Sequence, residues 1–115
     1  MPLIRVQTSA SVSAEKRREV MSALSKAVAK ALGKPESYLM VVFESDLALL
    51  MAGGAEPAAL AEVRSVGTIS PDQALRLAAV VSEAIGRLGV DRDRIYTNCF
   101  GVPGAMWGQG DGTFG

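Results

Sequence analysis

The sequence predicts an α+β fold: two successive βαβ units forming a four-stranded sheet with both helices on one face. Two observations carry this expectation. The triplets Ala31-Leu32-Gly33 and Arg87-Leu88-Gly89 stand at matching points of two halves, and each half reads strand, helix, strand. The run YLMVVFE at residues 38–44 is apolar on both alternating sides, which suits a sheet buried on both faces. Two helices cover one face of such a sheet. The uncovered face therefore calls for other subunits, and a symmetric oligomer is expected.

The elements follow in order. Residues 3–8 read as a strand, with Ile4 and Val6 alternating against Arg5 and Gln7. Ser13 is placed to cap a helix running to about residue 32, whose buried face carries Val20, Leu24, Val28, Ala31 and Leu32. Gly33 suits the left-handed position after that helix, and Pro35 prevents its continuation. Residues 38–44 are the second strand, and residues 45–56, with Gly53 and Gly54, read mainly as loop. The third strand ends in Val63, Ser65 and Val66, although its alanines also suit a helix. Ser70-Pro71-Asp72-Gln73 is a strong helix start with the ingredients of a capping box. The expected apolar face of this second helix is Leu75, Ala78, Ala79, Val81, Ser82 and Ile85, with Gly89 as its stop. Residues 94–100 form the last main strand.

A chain of 115 residues makes one domain, spanning 1–115. Twelve basic residues balance 12 acidic ones, so neither a nucleic acid nor an anionic membrane is expected as partner. The cluster Lys16, Arg17, Arg18 is flanked by Glu15 and Glu19 and reads as a solvated helix face. No apolar run reaches spanning length and no basic-then-apolar leader opens the chain. A cytoplasmic location is expected, with secretion by a non-signal route left open. Cys99 is the only cysteine, so no disulfide forms within the chain and a reducing compartment fits.

Histidine is absent. That removes the commonest general base and the commonest metal ligand, and with them the Ser-His-Asp and Cys-His arrangements. A zinc site would rest on one cysteine and carboxylates, so no metal or other cofactor is expected. The bases left are carboxylates, lysine, tyrosine, the thiol and the terminal amine. Pro2 then admits two readings. Proline is tolerated at the first residue of a strand, where the ladder needs no N–H. Alternatively, trimming of Met1 leaves Pro2 as a free secondary amine at the chain's end.

Several short stretches occur together in order: Met1-Pro2 before a strand, GKPESYLMV at 33–41, GGAEPAAL at 53–60, RSVG at 64–67, RIYTN at 94–98 and GTFG at 112–115. This set resembles macrophage migration inhibitory factor and its relatives in the tautomerase superfamily, over essentially the whole chain. The resemblance implies a homotrimer, with three sheets forming a barrel-like centre and the helices outside. It also implies active sites at subunit interfaces, where the N-terminal proline, Pro2, is the base in keto–enol tautomerisation of aromatic 2-oxo acids such as phenylpyruvate. Lys34 would lower the basicity of Pro2 and bind the substrate carboxylate, and the Val66 N–H would hold that carboxylate too. Ser65 would stand at the pocket wall. Tyr96 and Asn98, two apart on one strand face, would enter from the neighbouring subunit, Asn98 meeting a distal substrate hydroxyl. Leu3, Tyr38, Met106, Trp107 and Phe114 would form an apolar lining.

The same resemblance keeps a second function open, that of a cytokine-like partner-binding protein with an inherited pocket. Dehalogenation or decarboxylation is a third. Ala58 and Ala61 stand where vertebrate members carry a Cys-x-x-Cys pair, so redox chemistry through that motif is not available here.

Overall fold

Alternation along the first strand decides which side of the sheet is covered. In the computed structural model, which describes residues 1–115, strand β1 (Pro2–Thr8) buries Pro2, Ile4, Val6 and Thr8 and turns Leu3, Arg5 and Gln7 to the other side. Helix α1 (Ala14–Leu32) begins where the Ser13 side chain accepts the Lys16 N–H at 3.1 Å. It ends at Gly33, φ 65°, with the Gly33 N–H on the Lys30 carbonyl and the Lys34 N–H on the Ala29 carbonyl. These two bonds form a Schellman motif, satisfying the last carbonyls and fixing where Lys34 leaves the helix.

The second strand starts later than its apolar run suggests. Pro35 opens a 3₁₀ turn, Glu36–Tyr38, in which the Tyr38 N–H donates to the Pro35 carbonyl and the Leu39 N–H to that of Glu36. Strand β2 is therefore Met40–Glu44, and Tyr38 stands on the turn before it. Residues 59–66 are strand β3 (Ala59–Val66), not helix. Pairing with β1 outweighs the helical preference of alanine here, and the small side chains of Ala59 and Ala61 fit beneath the helices.

Helix α2 (Pro71–Gly86) carries the expected capping box: the Ser70 hydroxyl accepts the Gln73 N–H and the Gln73 side chain accepts the Ser70 N–H. Ser70→Ala is expected to cost about 0.5–2 kcal/mol, read as a lower midpoint in thermal unfolding. Two expectations for α2 need correction. The helix ends at Gly86, after which Leu88 and Gly89 donate to the Ile85 and Gly86 carbonyls, tightening the chain before Gly89 turns it at φ 84°. The buried face is Leu77, Val81, Ala84 and Ile85, while Leu75 is 72 % exposed. The helix is apolar over much of its girth, so packing against α1 and β4 selects the face.

Strand β4 (Ile95–Val102) completes a four-stranded sheet ordered β2-β1-β3-β4. β1 and β2 are parallel, as are β3 and β4, and the two pairs meet antiparallel at β1 and β3. Both helices cover one face, over a core of Ile4, Val6, Leu24, Val28, Val63, Leu77, Val81 and Ile85. Across the other face runs one row of Met40, Leu3, Arg64 and Phe100. The next is Val42, Arg5, Glu62 and Asn98, in which Arg5 pairs with Glu62 at 3.1 Å. A third is Glu44, Gln7, Leu60 and Tyr96. The glycine-rich C-terminal segment forms a small hairpin, β5 (Gly108–Gln109) and β6 (Gly112–Thr113).

Candidate functional site

Register explains why a proline heads β1. The Val66 N–H donates to the Met1 carbonyl at 3.1 Å, which makes Pro2 and Ser65 a non-hydrogen-bonded pair. A residue in such a pair donates no ladder bond to β3, and the pairing with β2 on the other side begins only at Leu3 and Met40, so the missing N–H of proline interrupts neither ladder. Beyond it, the Gly67 N–H bonds to the Val102 carbonyl at 2.9 Å and ties the ends of β3 and β4 together. A Cβ at position 101 would overlap the Gly67 carbonyl, so this close approach requires Gly101.

Lys34 reaches the same point from the helix layer. Its Nζ donates to the Val66 carbonyl at 3.2 Å, so one residue's backbone binds the chain terminus through its N–H and a cation through its C=O. The terminal amine, here on Met1, has its pKa pushed below the usual value by burial and, after that, by the charge of Lys34. Both effects disfavour the protonated amine.

A cavity of about 830 Å³ opens at this end of the sheet. Pro2 and Leu3 of β1, Tyr38 and Met40 beside β2, Arg64 of β3 and Val102 of β4 supply its floor and sides. Met106, Trp107 and Gln109 of the C-terminal segment close another wall. No carboxylate lies in this lining, and Arg64, its guanidinium 5.1 Å above the Phe100 ring centre, is the charged side chain in it. No cluster of three or more His, Cys, Asp or Glu side chains forms anywhere in the chain, so no ready set of metal donors exists.

Of the residues singled out from sequence, Leu3, Tyr38, Met106 and Trp107 share this cavity with Pro2. Lys34 and Val66 bond to each other, and Val66 to Met1 of the lining, but neither lines the cavity itself. Ser65 is 2 % exposed and lies under the wall, outside the lining. Phe114 also stands outside the lining, its N–H bonded to the Gly104 and Trp107 carbonyls at 3.0 and 3.3 Å. The hairpin's return places it there. Tyr96 and Asn98 lie on the uncovered sheet face, in register with Leu60 and Glu62, and this chain does not bring them to its own cavity. Sequence reasoning did not single out Met40, Arg64, Val102 or Gln109 as lining. Met40 and Arg64 become neighbours of Leu3 only through strand register, which no local pattern reveals.

The family model for macrophage migration inhibitory factor (MIF) matches residues 1–115 of the chain. Macrophage migration inhibitory factor of Meriones unguiculatus is 30 % identical over 96 residues, covering 83 % of this chain and 84 % of the relative. The solved structure of the Toxoplasma gondii macrophage migration inhibitory factor superposes with a TM-score of 0.92 at 32 % identity, covering 97 % of this chain and 99 % of the other. A homologue from Prochlorococcus marinus gives the same TM-score and identity, 0.92 and 32 %, over 98 % of this chain and 99 % of the other.

Proposed function

From the chain's membership of the macrophage migration inhibitory factor family, with its tautomerase-superfamily fold, we propose that it is a keto–enol tautomerase acting on phenylpyruvate-like 2-oxo acids. Pro2, freed by removal of Met1, is its general base. The observation that carries the reading is the setting of the chain terminus: Pro2 lines a cavity without carboxylates, and the Lys34 ammonium sits on the carbonyl of Val66, the residue whose N–H binds Met1. A base poised near neutral pH is what proton transfer next to a carbonyl needs. Pyrrolidine nitrogen is intrinsically too basic, and burial and Lys34 both correct that.

The Met1 carbonyl on the Val66 N–H marks an acceptor position that falls vacant when Met1 leaves. A substrate carboxylate oxygen takes it, with the Lys34 ammonium as its counter-charge. The neutral Pro2 nitrogen then removes a proton from the benzylic carbon beside the ketone. The electron pair moves onto the ketone oxygen, which gains a proton from water, and the protonated Pro2 gives its proton to the hydroxide left behind, restoring the neutral amine; the reverse steps restore the keto form. Leu3, Tyr38 and Trp107 receive the aromatic ring. In this reading three chains assemble through the uncovered sheet face, and Tyr96 and Asn98 complete a neighbour's cavity.

The test is loss of enol absorbance from phenylpyruvate. Pro2→Ala and Pro2→Gly leave a primary amine in place of the secondary one, so rates are expected to fall roughly 10–10²-fold. Equal rates in all three proteins would sink the Pro2 mechanism. The relatives are named for inhibiting macrophage migration, which supports a second reading for this chain, a partner-binding protein with the tautomerase pocket inherited. A protein with negligible enol turnover after verified Met1 removal would favour that one.

A further inference from the structure

Ser65 is buried to 2 % exposure, yet its hydroxyl has no hydrogen-bond partner. An orphaned buried hydroxyl is costly, and such groups are rare in folded proteins. Its facing neighbours across the sheet, Pro2 on β1 and Gly101 on β4, offer it no side-chain partner. Close backbone packing against Gly67 keeps position 101 a glycine. Pro2 and Ser65 form a non-hydrogen-bonded pair and both side chains point to the helix side, the arrangement in which facing side chains approach most closely.

With Met1 attached, the Pro2 nitrogen is an amide without a hydrogen and with no available lone pair. Once Met1 is removed, that nitrogen becomes an amine that both donates and accepts. We infer that the Ser65 hydroxyl is the hydrogen-bond partner of the freed Pro2 amine, a positioning residue whose orphaned state belongs to the unprocessed chain. The inference rests on Pro2 being the free terminus, as proposed above, and extends it to the group that holds the base. During turnover the hydroxyl turns over its role, donating to the neutral nitrogen and accepting from the protonated one. The charged bond is the stronger of the two, so Ser65 favours the protonated amine and opposes Lys34. Other charged or titratable groups facing this end of β1 are Arg64 of β3, Tyr38 before β2 and, on the helix side of β4, the Cys99 thiol, which burial keeps protonated. The cavity wall from Met106 to Gly110 contributes none.

Two measurements test this without relying on turnover. Protein labelled with ¹⁵N-proline reports the Pro2 amine titration directly. Ser65→Ala is expected to lower that pKa by about half a unit or more, and Ser65→Thr, which keeps a hydroxyl, to restore it. An unchanged pKa in Ser65→Ala overturns the proposal. Thermal unfolding of two forms of the protein gives the second reading. Ser65→Ala should leave the Met1-retaining chain equally or more stable, because an orphaned hydroxyl is removed, and should lower the midpoint of the processed chain by about 4 °C. The same change in both forms overturns the proposal. A titration shift in a protein that fails the enol assay removes the tautomerase reading and leaves the Ser65 contact standing.

Discussion

Protein that retains Met1 is expected to ketonise phenylpyruvate enol about 10²–10⁴-fold more slowly than the processed chain, the range a positioned general base contributes. The retained residue acts in two ways. It turns the Pro2 nitrogen into an amide with no basicity, and its carbonyl occupies the Val66 N–H that the proposed mechanism reserves for substrate. The comparison needs intact mass to establish which form is present, and the retained form is made with the methionine aminopeptidase blocked. A retained chain as fast as the processed one would remove Pro2 from the mechanism. The pH dependence has a definite sign. Activity follows the neutral amine, so it falls as pH drops through the amine pKa. Burial and, after it, Lys34 push the Met1 amine below its usual pKa; the same two influences on the freed Pro2 amine are expected to place the acid limb of kcat/KM below the range of an ordinary secondary amine.

In the proposed trimer, Leu60→Asp is expected to release single chains of 12.0 kDa and to reduce the proposed turnover more than about tenfold. Leu60 lies on the uncovered face of the central strand β3, between Gln7 and Tyr96 in register. An aspartate there would be buried without a partner at each subunit contact, at a cost of several kcal/mol. The helix-side core does not include Leu60, so each chain keeps its fold and its far-ultraviolet circular dichroism. Activity falls because Tyr96 and Asn98, which lie away from their own chain's cavity, would no longer reach a neighbour's. Light scattering coupled to size exclusion reads the assembly, and a variant that remains oligomeric and fully active overturns the interface assignment.

Much of the fold was legible because its signals are local. Ser13, Gly33 and the Ser70–Gln73 box mark helix ends through hydrogen bonds within a few residues, and β1 alternates cleanly against one core face. Where signals conflicted, long-range pairing chose. The alanines of β3 suit either a strand or a helix, and β1 makes them a strand. The face of α2 moved to Leu77 and Ala84 because two apolar stripes were available and α1 and β4 pack against one of them.

The site divides the same way. Pro2, Lys34 and Val66 were marked by short stretches of sequence, and chemistry without histidine narrowed the base to few groups. Sequence alone determined what kinds of groups this protein has to work with: a proline behind Met1, a lysine after a helix stop, and no imidazole. Only the tertiary structure decided where they act. Strand register sets Arg64 and Met40 beside Leu3, leaves Tyr96 and Asn98 on another face, and puts an unpartnered Ser65 hydroxyl opposite Pro2. The physical reason is that helix caps are written in neighbouring residues, whereas register joins positions some sixty residues apart in the chain through backbone hydrogen bonds that every side chain shares alike.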